Sequence, residues 1–225
     1  MQLTFTPMLA ALPRWSPDGK LIAFMGAEPR RNWKIYTVPF DGGSPEPLTQ
    51  YERLEGDPTW SPDGNSIVFG EAPDPNHPTH IYAVDLRTRR VSELPGSNEL
   101  YSPRWSPDGR FIAALTTRGE TKMMLFDLNA GKWTELANVH VTGYHVWSRD
   151  SKYVYMLDTS RRVEMVPYRI RIADHRLESV ADFMVPKAMT DGYFGSWAGL
   201  TPDGSPLFLQ DISSQDIYAL EVDLP

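Results

Sequence analysis

The chain has 225 residues, of which 41% are hydrophobic, and this length and composition suit one domain with a sizeable core. Its formal net charge of −7 argues against nucleic acid as a partner, because phosphate binding needs a concentrated basic surface. The absence of cysteine excludes disulfides and thiolate chemistry, and no apolar run approaches the roughly 18 residues of a membrane span.

We expect no signal peptide in the first residues of the chain. Residues 1–5 lack the basic and apolar regions of a signal peptide. We therefore expect either a cytoplasmic protein, or a fragment or mature form that has lost its targeting segment. The choice between periplasm and cytoplasm stays open, because a chain without cysteine is compatible with both redox environments.

One motif, Trp-Ser-Pro-Asp-Gly, recurs along the chain and organises it. Near-complete copies begin at Trp15, Trp60 and Trp105, a decayed copy begins at Trp147, and a split copy begins at Trp197. The spacing of about 45 residues is the period of a four-stranded propeller blade. Proline and aspartate suit a type I turn, and the glycine after them suits a left-handed bulge position, so each copy predicts a hairpin.

Two expectations follow for these hairpins. Gly64 and Gly109 should have positive φ, because the bulge position of this turn favours glycine. The decayed copy has lost its turn residues around Asp150 and Ser151, so we expect packing to hold that hairpin.

The repeats divide the chain into five predicted blades of four strands, all within one domain spanning residues 1–225. The fifth blade lacks a fourth strand, whereas residues 2–6 form a spare strand one repeat before the fourth strand of blade one. We therefore expect an all-β, five-bladed β-propeller whose N-terminal strand pairs with residues 218–222 and completes the last blade. No helix of any length is expected. The predicted blades cover approximately residues 11–50, 57–95, 102–137, 143–182 and 193–222.

These units, followed by strands of the type Ile-Tyr-x-Val, resemble TolB-like, WD-type β-propeller repeats over nearly the whole chain. The end of the chain, residues 192–220, is similar to the C-terminal propeller of bacterial multidomain regulators. In those proteins the propeller follows a winged-helix or kinase domain. The shared motifs imply the fold and leave the function open, because they are turn and packing residues.

No group of residues predicts catalysis or a bound metal, and no cofactor is expected. His77 and His80 lie in a proline-rich loop, which does not fix the geometry of a metal site. Ser196 lacks the Gly-x-Ser-x-Gly pattern of a nucleophile elbow. A calcium ion in the axial channel is an alternative, with Asp57 or Glu99 as oxygen donors. The hairpin aspartates are expected to serve only their turns: Asp18, Asp63, Asp108 and Asp203.

The repeated tryptophans and one histidine have expected places in the propeller. Because one tryptophan stands beside each hairpin turn, we expect the five to pack between blades rather than to form an aromatic cage. His145 precedes an inner strand, so it should pack or line the axial channel.

A binding face is predicted where the loops entering inner strands and the loops joining second to third strands gather. Exposed aromatic rings mixed with carboxylates are typical of surfaces that recognise a protein or a small polar ligand. The alternative is ordinary loop residues, with Tyr101 and Tyr193 packed over the core. The predicted face comprises Trp33, Glu55, Asp57, His77, Glu99, Tyr101, Tyr144 and Tyr193.

The expected function is that of a monomeric, non-catalytic interaction or sensor module, with no nucleic acid or membrane as partner. One alternative is the regulatory propeller of a larger signalling or transcription protein. Another is a periplasmic TolB-type propeller that docks a protein. The third is the gating propeller of a serine peptidase of the prolyl-oligopeptidase kind, which needs an α/β-hydrolase domain that these repeats do not supply.

Overall fold

The computed structural model of the chain describes residues 1–50, 53–72, 77–140, 144–158, 164–180, 185–186, 198–201 and 203–208. These residues form an all-β propeller built from antiparallel sheets whose strands are hydrogen-bonded in chain order. Within the described ranges, no helix has the length and apolar character needed to cross a bilayer.

Blades one and two are four-stranded meanders. Their second strands are nearly continuous apolar runs, because both faces of each are covered. The strands of blade one are β1 (Leu9–Trp15), β2 (Leu21–Ala27), β3 (Lys34–Pro39) and β4 (Glu46–Pro47). The strands of blade two are β5 (Glu55–Trp60), β6 (Ser66–Glu71), β7 (Ile81–Asp85) and β8 (Val91–Glu93).

Blades three and four repeat this order, and blade four carries one additional short strand, which pairs with its third strand. The strands of blade three are β9 (Leu100–Trp105), β10 (Phe111–Thr116), β11 (Lys122–Asp127) and β12 (Lys132–Asn138). The strands of blade four are β13 (Val146–Trp147), β14 (Tyr153–Asp158), β15 (Glu164–Arg171), β16 (Leu177–Ser179) and β17 (Val185–Pro186).

The fifth repeat corrects the predicted blade count. In the described part of the chain it is a two-stranded hairpin of β18 (Ala198–Leu200) and β19 (Pro206–Phe208), so the described residues form four blades and not five. The residues predicted to pair with the N-terminal strand, 218–222, lie outside the described residues.

The N-terminal segment also differs from the prediction, because residues 2–6 form no strand. The backbone turns back at Phe5, whose carbonyl accepts a hydrogen bond from the amide of Met8 at 3.1 Å. Leu3 and Met8 then pack against a cluster of Phe24, Tyr36 and Val38 on blade one. Burial of these apolar side chains explains why the segment lies against blade one instead of extending along a strand edge.

The hairpin turns are held by a repeated side-chain network. In the first turn, Ser16 donates its hydroxyl hydrogen to Asp18 Oδ1 at 2.7 Å and accepts a hydrogen bond from the Leu21 amide at 2.9 Å. Asp18 also accepts from the Lys20 amide at 3.1 Å. The second and third turns repeat these contacts. The predicted positive φ is confirmed at Gly64 (73°) and Gly109 (77°).

The decayed hairpin keeps the same network, which corrects the expectation that it is held mainly by packing. Ser148 donates to Asp150 Oδ1 at 2.7 Å and accepts from the Tyr153 amide at 2.9 Å. Ser151 takes the left-handed position with φ of 59°. Its hydroxyl oxygen also accepts a hydrogen bond from the Asp108 amide of blade three at 3.0 Å, so the replacement adds a contact between blades.

Apolar layers fill the spaces between adjacent blades. The layer between blades one and two contains Met25, Ile35 and Phe69, and two similar layers lie between blades two and three and between blades three and four. Because successive blades stack on each other through these layers, the core lies between the sheets rather than within one sheet.

The tryptophans differ in their packing. Trp60 and Trp147 are buried and donate their indole N–H to the inner strand of the preceding blade, at Arg14 O (3.0 Å) and Arg104 O (2.9 Å). These two therefore pack between blades, as predicted. Trp15 lies against a phenylalanine ring and is 54% exposed, which departs from that prediction.

The remaining two tryptophans are Trp105 and Trp197. Trp105 is half-buried against the layer between blades two and three, and its indole N–H donates to Gly109 O at 3.3 Å within its own hairpin. Trp197 lies outside the described residues.

Candidate functional site

The inner region of each blade carries a left-handed residue three positions before its tryptophan. None of the four is glycine, and in blades one to three the pairing with the second strand shifts register at this point. Such bulges re-aim side chains, and clusters of left-handed non-glycine residues are found at functional sites. The four residues are Leu12 (φ 51°), Asp57 (φ 57°), Ser102 (φ 54°) and Tyr144 (φ 55°).

A cluster of charged residues from three blades lies at these bulges. Asp57 Oδ1 is 2.8 Å from Arg104 Nη1 and 3.7 Å from Arg14 Nη2. Ser102 donates its hydroxyl hydrogen to Asp57 Oδ2 at 2.5 Å. Asp57 belongs to blade two, Arg14 to blade one, and Ser102 and Arg104 to blade three. We call Arg14, Asp57 and Arg104 the axial charge cluster.

The surroundings of the axial charge cluster shift its protonation equilibria. Burial alone raises the pKa of Asp57, but the Arg104 and Arg14 charges and the hydrogen bonds to the carboxylate outweigh it and lower the pKa. The pKa of Arg14 is lowered, first by burial and then by the Arg104 charge. Burial and the Asp57 charge raise the pKa of Tyr101 to about 12. Asp57 is therefore a carboxylate and Tyr101 a phenol at neutral pH.

His145 lies next to this cluster with an unusual environment. Its side chain is 1% exposed, and neither ring nitrogen makes a hydrogen bond of good geometry among the described residues, although the Ala113 backbone lies close enough to act on its pKa. Burial and then the Arg104 charge lower the pKa of His145 to about 3, so the ring is neutral at physiological pH. A neutral imidazole has one donor and one acceptor nitrogen, so one of its two nitrogens can donate to a ligand.

A central cavity of about 620 Å³ opens beside the cluster. Its volume lies within the usual range for ligand pockets. All four described inner strands contribute to its wall, together with the turns after β1, β5 and β9 and strand β18 of the fifth repeat. Side chains of the wall include Arg14, Arg104, His145, Tyr144, Thr59, Trp15, Trp60, Trp105 and Trp147.

The hydroxyl groups of this wall already have partners. Thr59 donates to Pro103 O at 2.9 Å, Ser61 donates to Asp63 Oδ1 at 2.6 Å, and Ser106 serves its own turn in the same way. Among the described wall residues, no serine or threonine is hydrogen-bonded to His145. The wall therefore offers charged and aromatic contacts, and it lacks the paired nucleophile and base of covalent catalysis in the part that is described.

Three residues of the predicted binding face meet at the axial charge cluster. Asp57 is part of it, Tyr101 interacts electrostatically with Asp57 and Arg104, and Tyr144 interacts with Arg14. The expected exposure of the aromatic rings is wrong for Tyr144, whose side chain is buried. Tyr101 is half-buried and packs against the layer between blades three and four.

The other predicted residues have different surroundings. Trp33 packs against the layer between blades one and two. Glu99 is half-buried and forms an ion pair with Arg118 at 3.2 Å. His77 is exposed, and Tyr193 lies outside the described residues.

Glu55 is a structural residue rather than part of an exposed face. Its side chain is 1% exposed, and it accepts hydrogen bonds from the Ile35 amide at 2.9 Å and from the Thr49 hydroxyl. Burial raises the pKa of Glu55, although both hydrogen bonds act in the opposite direction. The carboxylate thereby joins the start of blade two to blade one.

Sequence reasoning missed Arg14 and Arg104. Aligning the repeats on their tryptophans would have placed both in one column, directly before Trp15 and Trp105. His145 was predicted to pack or to line the channel, and it lines the cavity. The proposed calcium donors have arginine partners, Asp57 in the cluster and Glu99 with Arg118. Within the described ranges, no group of three histidine, aspartate or glutamate residues is arranged to hold a metal ion.

Solved structures that resemble this chain share its fold. TolB from Acinetobacter baumannii is 24% identical with a TM-score of 0.69, over 88% of this chain and 47% of TolB. A putative TolB from Agrobacterium tumefaciens is 21% identical with a TM-score of 0.67, over 89% of this chain and 75% of that protein. A puromycin hydrolase is 18% identical with a TM-score of 0.60, over 89% of this chain and 33% of the hydrolase.

The chain thus spans about half of the length of the Acinetobacter TolB. A search of curated proteins returned no match. The sequence profile of the TolB beta propeller domain matches residues 3–140, which is more than half of the chain and includes the first three repeats. The chain belongs to the TolB β-propeller domain family.

Proposed function

We propose that this chain is a non-catalytic binding module whose central cavity receives a segment of a protein partner or a small polar ligand. The observation that carries the proposal is the cavity of about 620 Å³, whose wall combines four tryptophans with Arg14 and Arg104 of the axial charge cluster. Large aromatic rings and arginines are the residues that contribute most to binding energy at protein interfaces.

The chemistry of the wall supports binding over catalysis. Its hydroxyl groups are engaged in turns and strand contacts, and His145 is neutral and has no hydroxyl partner among the described residues. We therefore expect no turnover of peptide, ester or phosphate substrates. A hydrolysis that a single cavity substitution abolishes would contradict the non-catalytic role.

Selection from a displayed peptide library tests the binding role. Selected peptides should change the tryptophan fluorescence of the chain, because four tryptophans line the cavity. Thr59→Tyr narrows the cavity and should abolish binding, whereas Thr134→Tyr on the exposed outer strand β12 should leave it unchanged. Equal binding by both variants would place the site elsewhere and refute the proposal.

A second candidate is the gating propeller of a serine peptidase. It is motivated by the likeness to puromycin hydrolase, of which this chain covers 33%. Co-expression with a hydrolase domain encoded beside the same reading frame would test it. Peptidase activity that requires the propeller would favour this candidate over the docking role. Under the docking alternative, cell fractionation should recover the chain in the periplasm.

A further inference from the structure

We propose that Arg14, Arg104 and His145 form a subsite for a single carboxylate carried on a peptide segment. This inference rests on the proposed function and names the chemistry that the cavity would recognise. All three residues line the same cavity, and they come from blades one, three and four.

The charges of the axial charge cluster are not balanced. Two guanidinium groups face one carboxylate, so the cluster carries one net positive charge while His145 is neutral. A carboxylate would neutralise it, whereas a phosphate dianion would leave a negative charge. Asp57 is engaged mainly by Arg104, at 2.8 Å against 3.7 Å for Arg14. Arg14 therefore keeps most of its five N–H groups for a ligand.

His145 supplies an independent indication of a ligand. Its side chain is buried at the cavity wall, and neither ring nitrogen makes a hydrogen bond of good geometry among the described residues, the nearby Ala113 backbone included. Buried polar groups in native proteins are nearly always hydrogen-bonded, so an unpaired one calls for an explanation such as a bound group. A carboxylate oxygen accepts hydrogen bonds from imidazole N–H and guanidinium N–H alike.

The rest of the cavity favours a peptide over a free ion. Trp60, Trp105 and Trp147 line it together with Pro62 and Pro107. These apolar surfaces suit the backbone and side chains on either side of a carboxylate, and the cavity is larger than a carboxylate needs. The carboxylate can come from an acidic side chain or from a chain terminus, and titration with matched peptides separates these two sources.

Titration by tryptophan fluorescence and calorimetry tests the subsite. The probes are capped pentapeptides with a central glutamate or a central glutamine, an alanine pentapeptide with a free or an amidated C-terminus, and inorganic phosphate. We expect at least one carboxylate peptide to bind at least tenfold tighter than its neutral counterpart and than phosphate. If the glutamate peptide binds tighter than the glutamine peptide, the carboxylate comes from an acidic side chain. If the free C-terminus binds tighter than the amidated one, it comes from a chain terminus.

Two variants assign the effect to the cluster. Arg14→Gln should abolish the difference between carboxylate and neutral peptides, and Arg14→Lys should retain part of it, because lysine cannot form the bidentate contact. Arg110→Gln is the matched control, since Arg110 is exposed and pairs with Asp127 at 3.1 Å; its affinities should stay within twofold of the parent. In the parent chain, a bound carboxylate should also shift the ring ¹⁵N resonances of His145, a readout that needs no substitution.

The possible failures are distinguishable. If glutamate and glutamine peptides bind equally, and free and amidated termini also bind equally, the carboxylate subsite is refuted while the proposed function stands. If phosphate binds as tightly as the carboxylate peptides, the subsite is a general anion site and the inference is refuted. If none of these probes binds, the subsite is refuted and the library selection decides the proposed function separately.

Discussion

Replacing His145 by glutamine should change how the stability of this protein depends on pH. In the folded chain the pKa of His145 is lowered to about 3 by burial and by the Arg104 charge. In the unfolded chain the ring titrates near its ordinary value of about 6.5. Between these two values the unfolded state binds more protons, so the folded state loses stability as the pH falls.

The size of this effect follows from the two pKa values. Each pH unit below about 6.5 costs about 1.4 kcal/mol, so His145 should remove about 3 kcal/mol of stability between pH 7.5 and pH 4.5. Over this range the ring stays mostly neutral in the folded chain. Glutamine does not titrate, so His145→Gln lacks this loss. Between pH 7.5 and pH 4.5 its free energy of unfolding should therefore fall less than that of the parent, by the amount given above.

Urea unfolding at five pH values, followed by tryptophan fluorescence, measures the difference between parent and variant. The other ionisable groups are the same in both proteins, so their effects cancel when the two free energies of unfolding are subtracted. A change in stability that the new side chain causes equally at every pH does not alter the pH dependence of this difference. His77→Gln is the control for the histidine-to-glutamine change itself, because His77 is exposed. Parallel pH profiles for the parent and His145→Gln would refute the assignment of His145 as a buried neutral ring.

Three further substitutions test the fold and the cluster by chemical denaturation. Gly109→Ala should cost about 1 kcal/mol, because alanine is strained at a φ of 77° although its Cβ has space; unchanged stability would contradict the turn assignment. Trp60→Phe should cost about 2 kcal/mol through the lost hydrogen bond to Arg14 O and lost packing, against about 0.5 kcal/mol or less for the exposed Trp15→Phe. Asp57→Asn should cost about 3–5 kcal/mol by leaving buried guanidinium charge unpaired. Because the pKa of Asp57 is lowered, that cost should shrink as the pH falls below about 4; a cost that stays constant to pH 3 would contradict the ion pair.

The repeat motif sufficed to predict a propeller because its residues act locally. Serine and aspartate of each turn bond to amides within five residues, so their presence in the sequence determines the hairpin. The same logic explains the decayed copy, in which Ser148 and Asp150 survive and keep the turn without proline or glycine. The loss of proline and glycine from this copy therefore did not predict the loss of the hydrogen-bond network.

Closure and the site depend on distant contacts, which the repeat spacing does not encode. Residues 2–6 match the spacing of a fourth strand, but Leu3 is held by a cluster on blade one. The left-handed bulges are equally hard to predict, because Leu12, Asp57, Ser102 and Tyr144 share no residue type that favours positive φ. Their conformation follows from how each inner strand pairs with its neighbour.

The positions at which the repeats agree and those at which they differ have separate roles. Tryptophan, serine and aspartate recur because every blade needs the same hairpin. In the column directly before the tryptophan, the copies carry arginine, threonine, arginine and valine, and three residues before it they carry leucine, aspartate, serine and tyrosine. Identical residues in these columns would give a symmetric ring of like charges or of neutral groups. The observed asymmetry places one carboxylate between two guanidinium groups, and it leaves one side of Arg14 open to a ligand of opposite charge.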